Sequence, residues 1–356
     1  YGALKMLLTT SPYGKNQYGE PVKAFSLTNG TGLTAEFIEF GATLASLKLT
    51  VEDAQRELVL GCDGLVDYEV QTASLGAIVG RMANRTNRGR LPIDGQVHQL
   101  GINLDVHHLH GGEQGFGRRV WQGELRVDHR GPSVRFVYLS VNGEEGYPGA
   151  FEATVDYTLS TDGTLWIEYR GLCDAPTAVN LSNHTYFNLD GEASTNCLSH
   201  HLSAHADRYV ETDVHRIPTG RLPLVEGTPL DLRGGAVLAD AVDWSHPLME
   251  LGGGGYDHTL VFSEWNAACK DVVQVRSGDG RVSMSMASDQ PSVQLYTSNF
   301  LEGTPGRGGM IYGTHAGLCL EAQHLPDAPN QSDFPSIILR PGQVYGQRTA
   351  YRISTN

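Results

Sequence analysis

Cysteine is scarce in this 356-residue chain. Its five residues (Cys62, Cys173, Cys197, Cys269 and Cys319) are scattered, odd in number and never spaced Cys-x-x-Cys. That pattern speaks against a disulfide framework and a thiolate metal site, and a reducing, cytoplasmic setting is expected. Apolar runs are short as well. None approaches the ~18 residues that a membrane-spanning helix needs. The opening YGALKMLLTTSP has too short an apolar stretch for a secretory leader. Because the chain starts at Tyr1 rather than Met, an already removed leader is left open. Basic residues are outnumbered, 26 Lys+Arg against 40 Asp+Glu, for a formal net charge of −14. Phosphates are repelled by such a surface, so neither nucleic acid nor an anionic membrane is an expected partner. The four-glycine run in LGGGGYDHTLVF (251–262) lacks the Lys-Ser/Thr of a P-loop; it reads as a mobile loop delivering Asp257 and His258 to the mouth of a strand.

What the chain does have is glycine: 43 residues, about 12% against a usual ~7%. Sixteen prolines add to the turn count. Both residues disfavour helix interiors, so many short strands joined by turns are expected. Alternation supports this. In FEATVDYTLS, Phe151, Ala153, Val155, Tyr157 and Leu159 share one face, and Asp162-Gly163 then turns the chain into TLWIEYRGL (164–172). LPIDGQVHQL (91–100) reads as a second hairpin, turning at Asp94-Gly95. The stretches 133–141, 281–288, 292–300, 317–323 and 336–342 also read as strands, and the best helix candidate is 65–80. No repeat, low-complexity tract or linker interrupts the chain. The expectation is all-β: one large antiparallel β-sandwich domain spanning 1–356, with few short helices.

Two strands break the usual pattern of an apolar and a charged face. In VNLSNHTYFNL (179–189), Asn180, Ser182 and His184 share a face by the period of two, with Tyr186 next along it. A ladder of neutral hydrogen-bonding groups with one histidine suits the floor of a cleft for a hydroxyl-rich ligand. In CLEAQHLPDAPNQ (319–331), Cys319, Glu321 and Gln323 likewise share a face. Alone, Glu321 is an ordinary surface carboxylate and His184 a structural imidazole; together they are the minimum kit for general acid–base catalysis. The histidines of DVHHLHGG do not have the spacing of a structural metal site, and no metal is expected there. Gly111-Gly112 would instead turn the backbone and expose His110 to a ligand. In VGRMANRTNRGR (79–90), Asn84 and Arg85 could fork onto vicinal hydroxyls.

Six motifs in order, GRMANR (80–85), HLHGG (108–112), NHTYFNLDG (183–191), GYDHTLVF (255–262), VQLYTSNF (293–300) and EAQHLPDAPN (321–330), give the chain its resemblance to the aldose 1-epimerase (galactose mutarotase) family, over about residues 20–350. The resemblance implies a large antiparallel β-sandwich and the interconversion of α and β anomers of an aldohexose. It implies Glu321 as general base and His184 as general acid, with His110 polarising the ring-oxygen region. Asn84, Arg85, Asp257 and Gln294 would hold sugar hydroxyls. No cofactor or metal is implied, since no electrons move and no group is lost. Asp105–His108 and Thr259 depart from the family's usual residues, the first in a way that could alter sugar preference. Two other classes compete. A glycosidase could use Asp257 with Glu321, and a non-catalytic carbohydrate-binding protein would need neither Glu321 nor His184. A phosphorylated hexose lacks an obvious basic pocket beyond the 79–90 arginines. The preferred aldose and the oligomeric state are not readable.

Overall fold

The structure is a computed structural model that describes residues 7–263 and 265–356. Half of the opening stretch considered above as a leader, residues 1–6, lies outside the described residues. A nine-stranded antiparallel sheet forms one layer. Its order is Gln122–Asp128, Gly131–Ser140, Phe151–Leu159, Thr164–Cys173, Tyr345–Thr355, Val282–Ser288, Lys270–Arg276, His201–Ala204 and Ala236–Val237. Its inward residues follow the expected alternation: Phe151, Ala153, Val155, Tyr157 and Leu159 are all buried without residue.

Two five-stranded antiparallel sheets cover that face. One is a meander, Leu7–Lys15, Pro21–Thr28, Leu33–Ile38, Thr43–Val51 and Ala54–Glu57, whose Phe37 ring lies 4.4 Å from that of Tyr157. The other runs Tyr186–Phe187, Leu318–Gln323, Ser292–Tyr296, Asp257–Phe262 and Ala206–Tyr209. Phe187 packs on Tyr351 at 4.9 Å, and the Tyr351 hydroxyl donates to Leu320 O at 2.9 Å. Leu320 and Ala322 therefore face the core, and period two turns Cys319, Glu321 and Gln323 the other way.

Among the described residues there are three short α-helices, Leu65–Val70, Leu238–Ala241 and Pro247–Leu251. The helix expected over 65–80 ends ten residues early. Gln71 is already extended, and Gly76 sits at φ +69°, where an added Cβ would lie 2.2 Å from Leu44 O. The chain beyond is needed as a partner: Ile78–Val79 pairs with Ser182–Asn183. Two expected strands are also shorter, 292–300 ending at Tyr296 and 336–342 reduced to Ile338–Leu339.

Candidate active site

Register assembles the site on the outer face of the second five-stranded sheet. Asp257 pairs with Tyr296, Tyr296 with Cys319, and Cys319 with Tyr186, making one row across four strands. Two residues along, Thr259, Gln294 and Glu321 make the next row. A one-residue slip of any strand would turn its members into the core. The rows floor a cavity of about 340 Å³, into which Asn84, Arg85, His110 and His184 also project. All seven residues singled out from the sequence thus line one pocket.

His184 is clamped by backbone. Its N–H donates to Ala77 O at 2.9 Å, and its carbonyl accepts from Gly76 N–H at 3.0 Å. Its ring stacks on Tyr186 at 5.0 Å and meets His110 edge-on at 5.1 Å. Nδ1 lies 3.6 Å from Cys319 Sγ, and Nε2 faces Glu321 Oε1 at 3.7 Å. Glu321 is 2% exposed, and its Oε2 is buried without a hydrogen-bond partner. Burial governs both groups, since a charge is poorly solvated there. It pushes the Glu321 carboxyl up to about 8, the Asp257 carboxylate adding to the shift, and lowers the His184 imidazole to about 4. Burial therefore favours a single proton on the pair across the neutral range, with Glu321 as its holder. The sequence reading starts the reaction from the other arrangement of the same single proton.

The polar residues behind this pair are interlocked. Asp257 Oδ1 accepts from Gln294 Nε2 at 2.6 Å, and Oδ2 lies 3.5 Å from an Arg85 guanidinium nitrogen. Gln294 Oε1 accepts in turn from Thr259 Oγ1 at 2.5 Å. The Thr259 departure thus orients the Gln294 amide, leaving Nε2 to face Asp257. Asn84 Oδ1 accepts from Arg85 N–H at 2.7 Å, and the Asn84 N–H donates to His110 Nδ1 at 3.1 Å. Among the described residues, His110, His184 and Glu321 are the set whose ligand atoms, all within 4.8 Å of one another, are spaced to consider a metal.

Several expectations need correction. The stretch 179–189 is not one strand. Ser182–Asn183 pairs with Ile78–Val79, and Tyr186–Phe187 pairs with the strand Leu318–Gln323. Nor is its polar ladder a cleft floor throughout. Asn180 exchanges hydrogen bonds with the backbone of His324, and Ser182 Oγ donates to Ala322 O. These two side chains anchor the segment carrying Glu321, and only His184 and Tyr186 reach the pocket. The histidines of DVHHLH part company: His108 is held by Gly101 O and Tyr147, His107 accepts from Arg88 N–H, and His110 alone lines the pocket. His258, expected beside Asp257, instead turns its Nε2 to Leu248 O.

Arg216 and Phe300 were missed. The Arg216 guanidinium lies 4.8 Å from the Phe300 ring centre and 3.9 Å from Asp257 Oδ2. Phe300 ends a recognisable motif, but Arg216 sits in a loop at φ +61° with no pattern around it. Tyr296, also missed, was at hand two residues after Gln294 on a strand of period two.

One pocket of a large β-sandwich thus brings a buried carboxylate–imidazole pair together with the amide, guanidinium and carboxylate groups of Asn84, Arg85, Asp257 and Gln294. The chain belongs to the aldose 1-epimerase family, which matches it over residues 23–352. It is 37% identical to the aldose 1-epimerase of Escherichia coli K12, over 94% of this chain and 96% of that one. It is 39% identical to the galactose mutarotase of Homo sapiens, covering 94% and 95% of the two chains. Among solved structures, an aldose epimerase homologue from C. elegans superposes with a TM-score of 0.83 at 32% identity, covering 98% and 99%. A galactose 1-epimerase from Lactobacillus acidophilus shares the fold at 0.87 and 24% identity, covering 99% and 100%.

Proposed function

We propose that this chain interconverts the α and β anomers of an aldohexose such as D-galactose or D-glucose by acid–base opening and closing of the ring. One observation carries the reading: the Glu321 carboxyl and the His184 imidazole, both buried, face each other at 3.7 Å in the pocket. In ring opening, ionised Glu321 takes the proton of the C1 hydroxyl while protonated His184 gives one to the ring oxygen. The C1–O5 bond breaks and an aldehyde forms. Rotation about C1–C2 exposes its other face. For closure, protonated Glu321 returns its proton to O1 as neutral His184 takes that of the C5 hydroxyl. Burial favours the arrangement that closure starts from, so the proton passes from Glu321 to His184 before opening. Each half-reaction converts one single-proton arrangement into the other, so the pair ends as it began.

The magnitudes are sufficient. If spontaneous opening runs on the order of 10⁻⁴ s⁻¹, its barrier is roughly 23 kcal/mol. Two placed proton transfers at ~10²–10⁴ each, with orientation, cover an acceleration of about 10⁷. Asn84, Arg85, Asp257 and Gln294 line the same pocket, and in this reading their polar groups hold the sugar's hydroxyls. A glycosidase is less well supported, because Asp257 is already engaged by Gln294 and Arg85. Five cysteines, all free, fit a cytoplasmic setting. Among the described residues no helix is long and apolar enough to cross a membrane.

Polarimetry of freshly dissolved α-D-galactose and α-D-glucose tests the reading. Faster relaxation to the same final rotation is expected, with turnover in His184→Asn lowered by at least ~10²-fold. Relaxation at the uncatalysed rate with both sugars would refute it.

A further inference from the structure

Two residues of the pocket wall clasp each other in an unusual way. Asn84 sits at φ +64° and His110 at φ +50°, both in the left-handed region that side chains other than glycine rarely enter. The His110 N–H donates to Asn84 O, and the Asn84 N–H donates to His110 Nδ1, each at 3.1 Å. Beside them Arg85 pairs with Leu109 in a short antiparallel ladder. The Asn84 side chain closes its own turn, its Oδ1 accepting from Arg85 N–H. The loop on the other side is equally constrained. Gly111 is at φ +91°, and a Cβ there would lie 1.7 Å from Gly80 O.

A peptide N–H is a donor only, so the ring nitrogen that accepts from it cannot itself carry a proton. We propose that Asn84 is a positioning residue whose peptide N–H locks His110 as the neutral Nε2–H tautomer, so that the ring-oxygen role which the family resemblance implies for His110 falls to a fixed neutral donor. The inference rests on the mutarotase reading above. It distinguishes two histidines whose rings touch. His184, whose Nδ1 has the cysteine thiol as its neighbour, is left free to gain and lose a proton at Nε2. His110 is not: protonating Nδ1 would set it against the Asn84 N–H. Burial and the neighbouring His184 and Arg85 also hold its pKa well below the ordinary value. The clasp disfavours a metal at His110, His184 and Glu321 too, because an Nε2 that bears a proton has no lone pair to offer. A neutral donor aimed at developing negative charge gains strength as that charge appears, without a proton having to be found for it.

Nitrogen–proton correlation NMR of the histidine rings tests the lock without reference to turnover. Nε2 protonated and Nδ1 unprotonated at neutral pH is the expected result for His110. Asn84→Gly, which keeps the peptide N–H and tolerates positive φ, should show the same tautomer. A proton on Nδ1 in the wild-type protein would overturn the proposal, even if polarimetry shows full activity. The role is tested by comparing His110→Gln with His110→Ala, with thermal melting confirming that both fold. Loss of the donor in His110→Ala should lower kcat by ~10²-fold or more. His110→Gln retains a neutral N–H donor and cannot titrate; at least ~10-fold of that loss should be recovered, with both limbs of the pH profile in place. Equal losses in the two variants, or a missing limb in His110→Gln, would refute the donor role.

Discussion

Replacing Glu321 by glutamine should make the protein more stable at mildly alkaline pH while removing its activity. Burial pushes the Glu321 carboxyl from an ordinary 4.5 to about 8. Because the folded value is the higher one, the folded state binds the proton more tightly than the unfolded chain. The stabilisation from that proton is complete below pH 4.5 and is lost progressively as pH rises to about 8. Each unit corresponds to roughly 1.4 kcal/mol, so the loss is about 3 kcal/mol by pH 7 and about 5 kcal/mol by pH 8. The amide of Glu321→Gln does not titrate. It does place an N–H₂ group in a site where one carboxylate oxygen has no partner, a pH-independent cost of about 1–3 kcal/mol. With ~2.1 cal/mol/K of unfolding entropy per residue over 356 residues, about 5 kcal/mol is about 7 °C in Tm. Differential scanning calorimetry of both proteins between pH 4.5 and 8.5 reads this directly. The difference between the two Tm values cancels the other titrating groups to first order. It should grow by about 7 °C in favour of the glutamine variant up to about pH 8 and then level off. A difference constant to within about 1 °C would refute the burial reasoning for Glu321. In the same samples, turnover should fall by at least ~10²-fold.

Activity requires one proton on the Glu321–His184 pair, so kcat/KM in the wild type should be level between limbs near pH 4 and pH 8, falling below as both groups protonate and above as neither holds a proton. An alkaline limb that persists unchanged in Glu321→Gln would count against this assignment. Thr259→Val removes the hydroxyl that orients Gln294; a rise in KM of about 3–10-fold with a smaller change in kcat is expected from steady-state polarimetry, corresponding to about one neutral hydrogen bond. The single-domain expectation predicts one cooperative calorimetric transition for the whole chain, and two resolved transitions would set it aside.

How much of this was legible in the sequence depended on the kind of interaction. Strands such as Phe151–Leu159 and Thr164–Cys173 could be read because alternate burial writes itself as a period of two, and Asp162-Gly163 marked the turn. The segment 65–80 misled because it carries apolar residues at helical spacing, whereas Gly76 and the demand for a backbone partner beside His184 are tertiary facts. Glu321 and His184 stood out as titratable groups on otherwise neutral strand faces. Asn180 and Ser182 stood out for the same reason and were misplaced, since the carbonyls they bind, of His324 and Ala322, lie at and just past the end of a strand more than 130 residues away. Arg216 left no trace because a loop residue carries no periodicity. The protonation of the pair was hidden too: it follows from burial, which no local pattern encodes.

The two rows of the pocket also shape how the protein acquires its activity. Residues contributed from positions 84, 110, 184, 257, 294 and 321 meet only when strands remote in the chain have paired. Such non-local pairing is slow, because loop closure must precede the contacts that reward it. Helix content, turns and hairpins such as that at Asp94-Gly95 can all form during refolding before the sugar pocket exists. Recovered turnover therefore works as a clock for the last long-range closure, one that circular dichroism of the early hairpins would run ahead of.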